Sequence, residues 1–366
     1  MNKPIDVLAI ALFSSAILSA CALPVHEIKL PPGFEINLYA TGVDGARAMA
    51  LGDSGTVFVG TYKTGKVYAV APPRNGQLAR VTVIAQELQD PHGVAYRDGA
   101  LYVAERSRIL RFDAIEQNLE RPPPPVIVYD QLPRYAHHGL RTIHFGPDGM
   151  LYVPIGAPCN ICLPEADRYA VLTRLDLASG EQQVFARGIR NTVGYDWHPQ
   201  TQELWFTDNG RDLLGNETPP DELNYAPRPG MHFGYPYCHA GELSDPEFGL
   251  RHPCAEFIPP VQKLGPHVAA LGMRFYTGDQ FPPEYRRRIF IAEHGSWNRS
   301  PKSGYRITMV ALRDGEPTKY ESFAEGWLSG NSVWGRPVDV LVSTDGSLLV
   351  SDDKNGVLYR IAYRGR

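Results

Sequence analysis

Residues 143–153 read IHFGPDGMLYV, with two short apolar stretches on either side of Asp148-Gly149. An Asp-Gly pair supplies the residue with positive φ that a tight hairpin requires. The flanking residues are apolar, aromatic or β-branched, as is typical of strands. The stretch therefore predicts a β-hairpin.

The same pattern of strand, turn and strand occurs six times, in copies that begin at Ala48, Gly93, Ile143, Tyr195, Met273 and Val340. Each copy is followed by a further strand, which gives units of roughly 45 to 65 residues, as in propeller blades. We predict an all-β, six-bladed β-propeller of four-stranded antiparallel blades, formed as a single domain by residues 30–366. A strand over residues 33–40 precedes the first copy, and we expect it to close the last blade.

Composition agrees with a fold of strands and turns, since the 366 residues include 35 Gly and 32 Pro and no long stretch has helical apolar spacing. The net charge is -4 and the basic residues are scattered, which argues against a nucleic-acid partner. Irregular spacing of the copies predicts long loops at residues 154–170, 209–256 and 293–304. Loops on one rim of a rigid scaffold are where function usually lies.

The N-terminus has the pattern of an export signal. Lys3 precedes an apolar run over residues 7–18 that is too short for a permanent membrane helix, and the sequence LSAC follows and ends at Cys21. LSAC resembles the lipobox of bacterial lipoproteins. We expect residues 1–21 to be a signal peptide with Cys21 lipidated, and the protein to be periplasmic and anchored to the outer membrane. Plain secretion remains the alternative.

Four further cysteines remain, an even number that an oxidising compartment allows to pair. Neighbours in the sequence suggest disulfides between Cys159 and Cys162 and between Cys238 and Cys254. The alternative for Cys159 and Cys162 is a metal or redox site, although no second CxxC or adjacent His pair completes a zinc set.

Polar residues immediately precede several of the inner strands. His138, in HHGLR, would be a natural base for removing a hydroxyl proton, and the alternative is a structural histidine. Arg190 and Asn191, in ARGIRNTVG, and Arg336, in GRPVD, lie in similar positions in two other units. Arginines suit a flat polyanionic ligand, and the alternative is an ion pair between blades.

Two loops add further candidates. The acidic segments at residues 208–212 and 220–224 contain oxygen donors of the kind that Ca²⁺ binds, and solvated turns are the alternative. The segment EHGSWNR at residues 293–299 contains Trp297, which would cover the face of a planar cofactor or pack between blades.

Together these segments resemble the glucose/sorbosone dehydrogenase family, in its sorbosone-dehydrogenase-like branch, over residues 30–363. The resemblance implies oxidation of an aldose or sorbosone-like aldehyde by hydride transfer to pyrroloquinoline quinone (PQQ), with Ca²⁺ holding the cofactor. It places His138 at the catalytic base. It places the cofactor contacts at Arg190, Asn191, Arg336, His294, Trp297 and Arg299, and the calcium region at Gly210, Arg211, Glu222 and Phe233.

The sequence departs from soluble glucose dehydrogenases at two points, with His92 in place of a glutamine and Val338 in place of a second arginine. The chain contains no haem CxxCH motif, so electrons would leave to a separate quinone or cytochrome. Two other functions remain open, a metal-dependent hydrolase of the lactonase type and a non-catalytic carbohydrate-binding propeller. The sugar and the oligomeric state are not determined by the sequence.

Overall fold

The computed structural model describes residues 23–73 and 76–365. Their strands form six main sheets arranged as the blades of a propeller, which confirms the predicted all-β fold. Helix in these residues is limited to short 3₁₀ turns at Val25–Glu27, Ile115–Gln117, Cys254–Glu256 and Pro283–Tyr285. None of their helices has the length and apolarity needed to cross a membrane. The predicted signal peptide with Cys21 lies outside the described residues.

The first strand, β1 (Phe34–Thr41), belongs to the last blade. Blade one consists of β2 (Met49–Leu51), β3 (Val57–Val59), β4 (Val67–Val70) and β5 (Val81–Ala85). Blade two consists of β6 (Gly93–Arg97), β7 (Ala100–Ala104), β8 (Ile109–Phe112) and β9 (Val126–Tyr129). Blade three consists of β10 (His144–Phe145), β11 (Leu151–Ile155), β12 (Val171–Leu175) and β13 (Gln182–Arg187).

Blade four contains β14 (Tyr195–Trp197), β15 (Leu204–Asp208) and β16 (Pro220–Ala226), and then an insertion with β17 (Met231–His232), β18 (Cys238–His239) and β19 (Leu243–Ser244). Its fourth strand is β20 (Gln262–Pro266), whereas β17 extends the sheet of blade three. Blade five consists of β21 (Ala270–Phe275), β22 (Ile289–Glu293), β23 (Arg306–Arg313) and β24 (Glu316–Glu325). After the hairpin β25 (Leu328–Ser329) and β26 (Ser332–Val333), blade six contains β27 (Pro337–Val342), β28 (Leu348–Asp352) and β29 (Val357–Tyr363).

Blade six is closed by β1, which pairs antiparallel with β29 from Phe34 opposite Tyr363 to Thr41 opposite Val357. The N-terminal strand therefore completes the last blade, as predicted. Phe34 fixes this closure, because the edges or faces of four other rings surround it with centroids 4.7 to 5.1 Å away.

Glycines allow the inner strands to approach each other closely. A Cβ at Gly93 would lie 2.0 Å from the carbonyl oxygen of Arg141 in the neighbouring blade, and a Cβ at Gly194 would lie 2.1 Å from that of Leu271. Only a residue without a side chain fits such distances. The inner strands therefore pack closely around the centre of the propeller.

Hydrogen bonds link the first four blades around the channel. Arg47 donates from Nε to Nδ1 of His92 (3.1 Å), so the proton of this imidazole is on Nε2. His92 Nε2 then lies 3.2 Å from Oγ1 of Thr142, whose hydroxyl donates to the Val193 carbonyl at 2.7 Å. All donors in this series point in one direction.

Three further hydrogen bonds link the remaining blades. Asp353 in blade six accepts from Arg47 Nη1 at 2.5 Å and from His294 Nε2 of blade five at 2.9 Å. Between blades four and five, Asn209 Nδ2 donates to the Ala270 carbonyl at 3.0 Å. We call the six residues Arg47, His92, Thr142, Val193, His294 and Asp353 the channel network.

Candidate active site

Residues that precede the inner strands and residues that follow the second strands meet at one mouth of the channel. There they line a cavity of about 330 Å³. Most of the predicted site residues contribute to its wall, which includes His138, Arg190, Asn191, Gly210, His294, Trp297 and Arg336. The long loops predicted from the irregular spacing contribute to this region: residues 154–170 supply Ala157, which His138 contacts, and the other two loops supply Asn209 and Trp297.

His138 is held as a neutral imidazole. Its Nδ1 lies 2.8 Å from the carbonyl oxygen of Ala157 and donates to it, which leaves Nε2 as the ring nitrogen with a lone pair. Burial, aided by the charge of Arg190, lowers the pKa of His138 to about 2. The backbone of His138 has a φ of 48°, and the adjacent Gly156 leaves room for it, since a Cβ there would lie 2.6 Å from the His138 Cβ.

Arg190 is buried and its guanidinium is almost fully used by the protein. Nε and Nη2 donate to the backbone and side-chain oxygens of Asn160, each at 2.9 Å. Nη1 donates to the carbonyl of Asn209 at 3.1 Å, and Nη2 also donates to Asp212 at 2.9 Å. Four of the five N–H groups are therefore occupied by described residues, which leaves one on Nη1 for a ligand.

Arg336 and Arg47 add two more guanidinium groups to the wall. Arg336 donates to the carbonyls of His294 and Gly295 at 3.2 and 3.0 Å and packs over Tyr305, with three N–H groups left over among the described contacts. Arg47 was not predicted from the sequence. Its position directly before an inner strand, which it shares with Arg336, was the signal that would have found it.

His294 shares the Asp353 carboxylate with Arg47. Burial is the main cause that lowers the pKa of His294 to about 4, and the cations Arg336 and Arg47 contribute in the same direction. The pKa of Asp353 is held well below its usual range despite burial, because His294 and Arg47 donate to it or lie close to it. At neutral pH this wall therefore carries a net positive charge.

Trp297 and Arg299, both in the loop after β22, differ in their position relative to the cavity. Trp297 is 71% exposed at the cavity mouth, which excludes the alternative of packing between blades. Arg299 does not line the cavity, because it is held by the Asn216 carbonyl at 2.9 Å and by Glu217 at 2.8 Å. The expected cofactor contact of Arg299 is thus replaced by a link between two loops.

The predicted calcium region is buried behind the cavity wall. Glu222 on β16 lies directly opposite Asp208 on β15, so the two carboxylates share one face of the sheet. Burial raises the pKa of both groups, and the charge of Glu222 raises that of Asp208 further. The charges of Arg190 and Lys263 offset this only in part, and two adjacent buried carboxylates make a pair that a divalent ion would stabilise.

The other predicted metal residues have structural contacts. Arg211 forms ion pairs with Asp245 and Glu247, which makes its side chain a poor neighbour for a cation. Phe233 is buried and donates its backbone N–H to the Arg187 carbonyl at 2.9 Å. The side chain of Arg211 is therefore occupied by two carboxylates, and the place of Arg211 in the calcium region stays a prediction.

One unpaired acceptor lies beside Glu222. Asn224 donates from Nδ2 to Glu222 at 3.0 Å, while its buried Oδ1 has no hydrogen-bond partner in the described structure. A carboxylate beside a free amide oxygen is the donor chemistry that Ca²⁺ prefers. Among residues 23–73 and 76–365, no cluster of three or more His, Cys, Asp or Glu side chains has the geometry of a metal site.

Both predicted disulfides are present, Cys159–Cys162 and Cys238–Cys254. The alternative of a metal at Cys159 and Cys162 is therefore excluded in this structure. The first disulfide closes a short loop whose residue Asn160 contacts Arg190. The second ties together the insertion of blade four.

The departures at His92 and Val338 have structural roles. His92 is fully buried in the channel network, where burial lowers its pKa well below the usual value. Val338 packs with Val193 and Leu271 in a small apolar cluster, and the latter two residues also line the cavity. The cavity thus has an apolar floor beneath its cationic wall.

Family models match large parts of the chain. One described as glucose/sorbosone dehydrogenase matches residues 174–360, and one described as TrAA12-like matches residues 28–247. An uncharacterized protein of Borreliella burgdorferi is 32% identical over 99% of this chain and 98% of its own length. A pyrroloquinoline quinone-dependent pyranose dehydrogenase of Coprinopsis cinerea is 23% identical over 92% of this chain, which spans only 55% of that relative.

Solved structures share the fold. The holo form of the PQQ domain of the Coprinopsis cinerea pyranose dehydrogenase has a TM-score of 0.79 at 20% identity, with 92% of this chain and 97% of that one covered. The PQQ-bound aldose sugar dehydrogenase of Streptomyces coelicolor has a TM-score of 0.67 at 19% identity, with 91% and 99% covered. At such identities the likeness establishes the propeller and leaves the chemistry to the residues of the cavity.

Proposed function

The chain belongs to the glucose/sorbosone dehydrogenase family, and from this premise we propose that it oxidises a sugar with PQQ bound in the cavity. The observation that carries the proposal is the convergence of Arg47, Arg190 and Arg336 with the neutral His138 on one cavity. Arginines from three blades suit a flat ligand that bears several carboxylates.

The free donors of the wall fit such a cofactor. Arg190 keeps one N–H and Arg336 keeps three among the described contacts, and these groups would bind and orient the carboxylates. Trp297 would cover one face of the ring system at the mouth and exclude water. When bound, PQQ supplies a two-electron acceptor for hydride.

His138 would act on the substrate. Nδ1–H is fixed on the Ala157 carbonyl, so Nε2 is the atom that accepts the proton of a sugar hydroxyl. Hydride leaves the carbon that bears this hydroxyl. Asn191 lines the cavity next to it and would orient the sugar through its amide. The apolar floor of Val193 and Leu271 would match the C–H face of a sugar or of the cofactor.

Calcium is the second cofactor of the proposal. Glu222, Asp208 and the unpaired Oδ1 of Asn224 would hold a structural Ca²⁺ behind the cavity. The backbone of Gly210, which lines the cavity, would serve a Ca²⁺ that holds and polarises the quinone. These donors are oxygens, as Ca²⁺ requires.

The location and the electron acceptor form a separate part of the proposal. We infer export to the periplasm with a lipid anchor at Cys21, and a separate quinone or cytochrome as the acceptor, from the N-terminal sequence and the lack of a CxxCH motif. Labelling of cells with a radioactive fatty acid, with Cys21→Ser as the comparison, tests the anchor. Label retained by Cys21→Ser would contradict it.

The activity is tested by titrating calcium-loaded protein with PQQ and then adding aldoses, sorbosone and other sugar aldehydes while the quinone absorbance is followed. We expect binding, and reduction by at least one sugar, with reduction lost in His138→Ala. His252→Ala is a matched control, because His252 is exposed, does not line the cavity, and pairs with Glu256 at 2.9 Å. A folded protein that binds calcium but no PQQ would refute the proposal and favour a carbohydrate-binding propeller or a metal-dependent hydrolase.

A further inference from the structure

The loop closed by the Cys159–Cys162 disulfide accepts two of the four hydrogen bonds that the Arg190 guanidinium donates to described residues. Asn160 lies between the two cysteines, and its backbone and side-chain oxygens accept from Nε and Nη2 of Arg190 at 2.9 Å each. No other described residue binds this guanidinium through two atoms. The direction of the one free N–H therefore depends on where Asn160 is held.

Asn160 also fixes the second partner of Arg190. Its Oδ1 accepts from the backbone N–H of Asp212 at 2.8 Å, and its Nδ2 donates to the Asp212 carbonyl at 3.0 Å. The Asp212 carboxylate in turn accepts from Arg190 at 2.9 Å and from Asn298 at 2.8 Å. One asparagine thus holds both the guanidinium and the carboxylate that neutralises it.

The buried side chain of Tyr235 also anchors the loop to the propeller. The Tyr235 hydroxyl lies 3.2 Å from the backbone nitrogen of Cys162 and 3.3 Å from the sulfur of Cys159. Tyr235 is itself buried and packs with Cys159 and Ile161. The ring of four residues has little freedom as long as the disulfide is closed, because a cross-link removes alternative loop conformations.

We propose that the disulfide loop around Asn160 is a positioning element for Arg190. The loop fixes the direction of the free N–H with which Arg190 would bind an anion in the cavity, and reduction of the disulfide would therefore weaken cofactor binding. The effect on the cofactor rests on the proposed function, whereas the positioning of Arg190 does not. Both cysteines of this disulfide are partly exposed, whereas in the other disulfide Cys254 is partly exposed and Cys238 is buried, so a dithiol can reach either sulfur only in the first bond. In the reduction the S–S bond takes up two electrons and two protons from the dithiol, which gives two thiols and the oxidised cyclic disulfide of the reagent.

A double-mutant cycle tests whether Asn160 acts through Arg190. The dissociation constant of PQQ is measured by calorimetry for the wild type, Asn160→Ala, Arg190→Ala and the double variant, with unfolding curves as a check on folding. We expect Asn160→Ala to weaken binding about tenfold to hundredfold, because hydrogen bonds to a charged group are lost. In the Arg190→Ala background the same change should have little effect.

Asn118→Ala is the matched control for this cycle. The Asn118 amide makes one exposed hydrogen bond, to the Ala114 carbonyl at 2.8 Å. Its loss should leave PQQ binding unchanged. Equal effects of Asn160→Ala with and without Arg190 would overturn the proposal, since the asparagine would then act by another route.

A second readout needs no cofactor. In protein labelled with ¹⁵N-arginine, the Nε–H signal of Arg190 is assigned by its disappearance in Arg190→Lys, and its exchange with water is measured. We expect slow exchange in the oxidised protein, and faster exchange after treatment with dithiothreitol and in the Cys159→Ser/Cys162→Ser variant. Dithiothreitol should have no further effect on that variant.

The outcomes separate the two proposals. An Arg190 signal unchanged by reduction and by the double serine substitution would overturn the positioning role. A signal that responds as expected in a protein that binds no PQQ would refute the proposed function and leave the positioning role supported. Binding of PQQ that is insensitive to the loop, in a wild type that reduces it with sugar, would refute only the link to the cofactor.

Discussion

His138 combines a fixed tautomer with a strongly lowered pKa, and the two features together define its expected behaviour. We predict that His138→Gln keeps PQQ binding within a few-fold and lowers kcat by about 10²- to 10⁴-fold, the usual contribution of a general base. Stopped-flow measurement of quinone reduction after mixing with sugar checks this. Unchanged reduction in a folded His138→Gln protein would exclude the residue as the base.

The pH dependence of activity follows from the same residue. Burial and the charges of Arg190, His137 and Arg141 lower the pKa of His138 to about 2, and only the Ala157 carbonyl raises it. The imidazole therefore stays unprotonated from pH 5 upward, so we predict no fall of kcat/KM near pH 6.5 as the pH is lowered to 5. An acidic limb with an apparent pKa of 6 to 7 that persists in His252→Ala and shifts in Arg190→Gln would contradict the buried environment of His138.

The effect of His138 on the pH dependence of stability is opposite in sign to that of a salt-bridged histidine. Because the folded pKa of His138 lies below the ordinary value of 6.5, the unfolded chain binds more protons between about pH 2 and 6.5. This residue therefore destabilises the fold progressively as the pH falls through that window, and makes no such contribution above it. His138→Gln should reduce the loss of unfolding free energy between pH 7 and pH 5.

At the scale of elements, the strand pair β15 and β16 carries opposed carboxylates at Asp208 and Glu222. Like charges directly opposite each other destabilise a sheet. We predict that Ca²⁺ at 100 times its Kd raises the unfolding free energy by about 2.7 kcal/mol. Glu222→Gln should lose this gain and yet be more stable than the wild type in the presence of a chelator.

Thermal unfolding with calcium or chelator measures both effects. Glu120→Gln is a suitable comparison, because Glu120 is exposed and pairs with Arg80 on the surface at 2.5 Å. Its calcium response should equal that of the wild type. A Glu222→Gln protein that still gains stability from calcium would move the ion to other donors.

The closing strand β1 has its own prediction. Phe34 packs its ring against Phe281 and Phe323 of blade five and against Tyr363 of blade six. Its side chain therefore joins β1 and the last blade to blade five. Phe34→Ala should lower the unfolding free energy by about 3 kcal/mol, at the lower end of the range for large-to-small changes of aromatic residues. Urea titration measures it, with Val126→Ala at a 46% exposed strand position expected to change little.

Across the whole molecule, the sequence was informative where the code is local and repeated. The Asp-Gly turns and the strands beside them specify blades, and the strand at Phe34–Thr41 specified the closure. Residues at equivalent positions of the repeat, such as His138 and Arg336, line one cavity, and their roles stay predictions. These features depend on neighbours along the chain, which a sequence shows directly.

Contacts between distant loops could not be read in this way. Arg299 has the composition of a ligand contact, and only the approach of residues 216–217 shows that it is already occupied. The place of Arg47 before an inner strand was visible in the sequence, but its partners His92 and Asp353, which are 45 and 306 residues away, were not.

The channel network provides the last prediction, because it joins residues from every blade around the channel. Thr142 accepts from His92 and donates to the Val193 carbonyl, and all three residues are buried. Thr142→Val keeps the shape of the side chain and leaves a buried donor and a buried acceptor without partners. We expect a loss of about 1–3 kcal/mol of unfolding free energy.

Chemical denaturation followed by near-UV and far-UV circular dichroism measures this loss and shows whether the six blades still unfold together. Since the network connects neighbouring blades in series, a single transition that shifts as a whole is expected. Thr318→Val, in which an exposed hydroxyl loses its bond to the Ala311 carbonyl at 3.2 Å, should shift the curve little. If Thr142→Val unfolds no earlier than Thr318→Val, the network does not contribute to the stability of the ring, and the packing between blades must hold the propeller closed by itself.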